Sequence, residues 1–97
     1  MAAYNGDITL PDSVATLLTT SDVSAVRVQN TGEGDIRLKA TVGAVVPTSW
    51  VGALTLRPGE AFDAGITLAN LFPGVSGANR VYALTSRGYG KASVSHA

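Results

Sequence analysis

Cysteine is absent from this 97-residue chain, so neither a disulfide framework nor a thiolate metal site nor a cysteine nucleophile exists. Charge is scarce: charged residues make up 14% of the chain, against ~25% in typical soluble domains. The seven basic residues balance seven acidic ones and do not cluster, which argues against nucleic acid, whose phosphates call for grouped cations. Apolar runs span only a few residues, too short for a membrane span. The first twelve residues lack a basic n-region and a continuous apolar stretch and do not read as a secretory signal. What the chain does have is 45% apolar residues, and a chain this size buries roughly 60 to 68% of its unfolded surface, so one small core is feasible without staples. Low charge combined with a positive mean hydropathy points to surface covered by other subunits.

The pattern is that of strands. From Val26 to Lys39, two runs of strict apolar/polar alternation flank the polar turn Thr31-Gly32-Glu33-Gly34, which reads as a half-buried hairpin between Val23–Gln29 and Asp35–Val42. On its second strand Ile36, Leu38, Ala40 and Val42 face one way, and Arg37, Lys39 and Thr41 the other. Val14 to Thr20, rich in β-branched residues, reads as a short strand. Residues 43–52 break the pattern and read as a loop with Trp50 near its end. A second hairpin is expected in residues 54–62, where Pro58 and Gly59 suit the central positions of a type II turn. Ile66 to Leu71 is too short for more than a turn or two of helix and reads as an irregular crossover ending at Pro73. A last hairpin is expected between Arg80–Ser86 and Lys91–His96. Six or seven strands at spacings of about 8 to 15 residues imply an all-β fold, a small antiparallel β-sandwich or barrel, jelly-roll-like, over residues 13–97. Residues 1–12 read as an extended N-terminal arm that orders on contact, with a first edge strand, in which Ile8 and Leu10 alternate with Thr9, as the alternative.

Means for catalysis are few. His96, the only histidine, is the penultimate residue, whereas a general base is held by a packed shell and oriented by a second group. Residues 74–78 imitate a nucleophile elbow, but the last glycine is misplaced by one and the flanking strand and helix are lacking. The acidic residues are scattered, mostly at turns, and form no calcium loop; a cation bridging Glu33 and Asp35 is the sharpest metal reading available. No cofactor is expected. Arg27, Arg37 and Lys39 share one polar face if the first hairpin is in simple register, either solvated or set against an acidic partner. Trp50, Leu71 and Phe72 are either core plugs or anchors at a subunit interface.

The series Val28-Gln29-Asn30-Thr31-Gly32-Glu33-Gly34-Asp35-Ile36-Arg37-Leu38, then 56–60 (LRPGE), 79–83 (NRVYA) and the closing 94–97 (VSHA), resembles small accessory structural proteins of tailed bacteriophages, above all β-rich capsid decoration, or cement, proteins. The resemblance covers about residues 23 to 97 and rests on turn and strand patterns. It implies a non-enzymatic virion protein on the outer surface of the head, often a homotrimer, clamping neighbouring copies of the major capsid protein, with no nucleic acid or membrane partner. Families of this kind often use an N-terminal arm, and Tyr4, Ile8 and Leu10 occupy a comparable place. The candidate capsid or subunit contacts are thus Tyr4, Ile8, Leu10, Arg27, Arg37, Lys39, Trp50 and Phe72. The competing expectation is a tail, fibre or head-surface module that binds a host glycan or protein through Tyr89, Tyr82 and Trp50. An enzyme or small-molecule carrier is the third.

Overall fold

The structure, a computed structural model, describes residues 3–85 and 88–97. Ser86 and Arg87, read as the end of a strand and the start of the last turn, lie outside the described residues, as do Met1 and Ala2. The described residues form eight strands: β1 (Tyr4–Leu10), β2 (Thr16–Leu17), β3 (Arg27–Asn30), β4 (Ile36–Thr41), β5 (Leu54–Leu56), β6 (Ala61–Phe62), β7 (Arg80–Leu84) and β8 (Gly90–His96). A one-turn helix, α1 (Leu68–Leu71), stands between β6 and β7, its first turn capped by the Thr67 hydroxyl, which accepts from Asn70 N.

The strands make two four-stranded antiparallel sheets, ordered β1-β8-β3-β6 and β2-β7-β4-β5. Both sheets end in free edges, so the fold is a sandwich and the barrel alternative falls away. Only β4 and β5 are sequence neighbours paired in one sheet; every other connection crosses from one sheet to the other. This interleaved order is that of a jelly roll.

The crossing corrects three expectations. Each of the segments read as a hairpin is an arch, with its two strands in opposite sheets: β3 pairs β8 and β6, while β4 pairs β7 and β5. The same separation holds for β5 and β6, and for β7 and β8. Alternation within a strand states which side chains are buried, and it is satisfied equally by two faces side by side and by two faces opposed. The opposed arrangement wins because Val26 and Val28 then close against Ile36 and Leu38 across the sandwich, all four fully buried in one core cluster. The turn at Pro58-Gly59 forms as expected, with Gly59 at φ +86° and Glu60 N–H donating to the Arg57 carbonyl at 2.9 Å, but it serves an arch.

Asn30 explains how the first arch holds its corner. It is completely buried, yet every polar atom of its side chain is used: Nδ2 donates to the carbonyls of Gly34 at 2.8 Å and Leu56 at 2.9 Å, and Oδ1 accepts from Gly32 N–H at 3.0 Å. Its main chain joins the second arch, donating to Glu60 O and accepting from Gly59 N–H. One side chain thus ties both arches together.

Residues 4–10 are the edge strand rather than a free arm. β1 pairs with β8 without interruption from Tyr4↔His96 to Leu10↔Gly90, and Leu10 is fully buried in the core. The alternation of Ile8 and Leu10 with Thr9 therefore reports a core-facing side. The rest of the core comes from both sheets and from Leu68 of α1, whose N–H donates to Ser24 O at 2.8 Å.

Candidate docking surface

The outer face of the β2-β7-β4-β5 sheet carries the connection between β4 and β5, residues 42–53. It begins at a corner where Gly43 takes a positive φ, its N–H donating to Asn79 Oδ1 at 2.7 Å and its carbonyl accepting from the Thr41 hydroxyl at 2.8 Å. The connection then folds over the strand it left. Arg37 Nη2 donates to the Trp50 carbonyl at 2.8 Å and Lys39 Nζ to the Ser49 carbonyl at 2.6 Å. Alternation puts both side chains on the outer face of β4, one above the other, so they act as two posts under the loop.

The loop raises apolar side chains into solvent. Val42, Val45, Val46 and Val51 are 56%, 65%, 57% and 82% exposed. Shallow grooves run on either side of Lys39, one lined by Val42, Val45, Val46 and Pro47, the other by Val51, Pro73 and Val75 with the rim of Phe72. Neither groove is lined by a carboxylate. The site is therefore an apolar surface around a cation whose bonded partner among the described residues is a neutral carbonyl. Taking a fully exposed valine side chain out of water contributes about 1.5 kcal/mol or more, and these, already partly covered, retain over half of that to gain. Exposed apolar side chains gathered on one loop in this way mark interaction sites.

The candidate contact residues divide into four groups. Arg37, Lys39 and the half-buried Trp50 belong to this surface. Arg27 does not: it lies on β3, on the outer face of the other sheet, with Nη2 donating to Ser93 Oγ at 3.4 Å, so the single basic face expected from a hairpin is split between opposite sides of the molecule. Leu10 and Phe72 are buried, at 0% and 6% exposure, and serve as core side chains rather than contacts. Tyr4 and Ile8 are half-buried on β1, packed against the core.

Val45, Val46 and Val51 were not singled out by sequence reasoning, which fixed on Trp50, and Val42, expected on the core-facing side of the second strand, lies past the end of β4 and is exposed. A signal was there: valines crowded between Gly43 and Gly52, in a stretch where Pro47 and the broken alternation exclude a core-facing strand.

The other candidates resolve individually. His96 is held in the last strand and buried; Nε2 accepts from Thr20 N–H at 3.2 Å, which places the ring proton on Nδ1, facing the Ala97 carbonyl at 3.1 Å. Tyr4 stacks on its ring with centroids 6.2 Å apart. Ser76 is exposed in a run of turns, and Glu33 and Asp35 are exposed on the first arch. Among the described residues no three His, Asp or Glu side chains gather as a metal site, and one ion pair forms, Arg80 with Asp22 at 2.8 Å. Of the aromatics expected to bind a glycan, Tyr89 is 78% exposed but Tyr82, although it faces outward on β7, is only 4% exposed. No protein-family model, no curated protein and no solved structure matches this chain.

Proposed function

We propose that this chain is a structural protein of a tailed-phage particle, a decoration or cement protein that docks on the outer surface of the head and braces contacts between major capsid subunits. The observation that carries the reading is the valine surface around Lys39. A folded sandwich with a complete core still presents four exposed valines on one braced loop, which favours an apolar partner surface offering a carboxylate to Lys39. The low charge of the chain and the sequence resemblance point the same way. Homotrimeric copies repeated over a symmetric shell would turn a modest contact per copy into a tightly held layer, since each attached copy raises the effective concentration of the next contact.

Electron cryomicroscopy of the source particle tests this. Density for the sandwich on the head lattice, with residues 42–53 against the shell, is the expected outcome. Location on the tail or fibres, together with glycan binding by the isolated protein through Tyr89, would replace it with a receptor-binding role.

A further inference from the structure

Four strands form the free edges of the two sheets, and three of them are blunted by shortness: β2 and β6 have two residues each and β5 has three. The fourth, β1, has seven. Its unbroken register with β8 leaves no bulge, and it holds neither proline nor lysine. A long edge without those devices is an open template for another strand.

The groups it offers follow from the ladder. Thr31 N–H donates to the Lys91 carbonyl at 3.0 Å, in the register that also sets Gln29 opposite Ser93. Odd-numbered residues of β8 therefore turn their main-chain groups toward β3, and even-numbered ones toward β1. Tyr4, Gly6, Ile8 and Leu10 are the partners of those even residues, so the N–H and C=O groups of Asn5, Asp7 and Thr9 point out of the sheet. One of these groups has a loose internal partner: the Tyr4 hydroxyl reaches the Asp7 carbonyl at 3.5 Å, the long limit of a hydrogen bond. The side chains of Asn5, Asp7 and Thr9 are exposed, and Asp7 has no ion-pair partner among the described residues.

We propose that β1 accepts an added antiparallel strand from a different polypeptide, with a Lys or Arg opposite Asp7. The charge decides against a second copy of this chain. Full-length antiparallel pairing of β1 with itself, centred on the strand, would set Asp7 directly opposite Asp7 of the other copy, and like charges at a cross-strand pair are unfavourable. A basic residue there is favourable, and apolar residues beside it would cover the half-buried Tyr4 and Ile8. The inference is independent of the phage reading, because it concerns a different surface and any partner with an extended segment of this chemistry.

The test uses the full chain, isotope-labelled, and two capped peptides, Val-Thr-Val-Lys-Val-Thr-Val and its counterpart with Glu in place of Lys. The expected result is that the Lys peptide shifts the amide resonances of Asn5, Asp7 and Thr9 and slows their hydrogen exchange, binding about five- to tenfold tighter than the Glu peptide. Asp7→Lys should invert that preference. Thr9→Pro should weaken both peptides while leaving the β8 ladder intact, because it deletes an outward N–H. Unmoved amides at millimolar peptide, or a preference that Asp7→Lys does not change, would overturn the proposal. So would concentration-dependent protection of the same amides without peptide, which would identify a second copy as the occupant.

Discussion

Asn30 and Leu56 belong to opposite sheets, and the Asn30 side-chain amide donates to the Leu56 carbonyl at 2.9 Å with no exposure to solvent. Asn30→Ala would leave that carbonyl, the Gly34 carbonyl and the Gly32 N–H without their partner at once. A loss of about 2–4 kcal/mol is expected, read as a lowered urea midpoint with an unchanged slope. Asn30→Asp should cost at least as much, because a carboxylate cannot donate to the two carbonyls. A change below about 0.5 kcal/mol for Asn30→Ala would mean that water replaces the amide and that the corner is not held by it.

Gly59 sits at φ +86° in the turn that leads from β5 to β6, where its N–H donates to Asn30 O at 2.7 Å. A β-branched residue resists that conformation. Gly59→Val should therefore destabilise by about 2 kcal/mol, lowering Tm by roughly 8–16 °C for a chain of this size. Nothing lies within 4 Å of a Cβ built there, so the penalty is one of backbone conformation alone. Gly59→Asn, which tolerates a positive φ, should recover most of it.

Removal of residues 1–12 separates an arm from a strand. It would delete β1, take Leu10 out of the core and uncover the edge of β8. Loss of cooperative unfolding is expected, by calorimetry or near-ultraviolet circular dichroism, and Leu10→Ala alone should cost about 2–5 kcal/mol. A truncated protein that still melts cooperatively near the parent temperature would restore the arm reading.

What the sequence made legible was local. Alternation identified the buried faces of β3 and β4, and Pro58-Gly59 identified a turn with its positive φ, because both properties are set by neighbours along the chain. Pairing was not legible: β3 lies beside β8, and β4 beside β7, through contacts between distant segments that no short-range pattern encodes. Asn30 looked like part of a polar turn because its burial depends on Leu56 and Glu60, which arrive from the second arch. Once the arches are placed, the split of Arg27 from Arg37 and Lys39 follows without further assumption. The valine surface stayed hidden for a different reason: apolar residues in a loop are usually absorbed by the core, and only the folded chain shows that these are not.

The valines of the β4–β5 connection give the proposed function its most direct biochemical test. Val45, Val46 and Val51 are exposed on a loop whose posts are Arg37 and Lys39, so replacing them by Ser removes no core contact. The triple variant should keep its unfolding free energy within about 0.5 kcal/mol of the parent for each substitution. Binding to particles stripped of this protein should fall by well over tenfold, since covering each of the three valines from its present exposure contributes about 1 kcal/mol. Lys39→Glu should also weaken attachment, more strongly at low salt than at high salt if the partner supplies a carboxylate. Sedimentation of labelled protein with stripped particles measures both effects. Undiminished binding by the triple variant would move the contact off this surface, while a variant that no longer folds would show that the loop is part of the core after all.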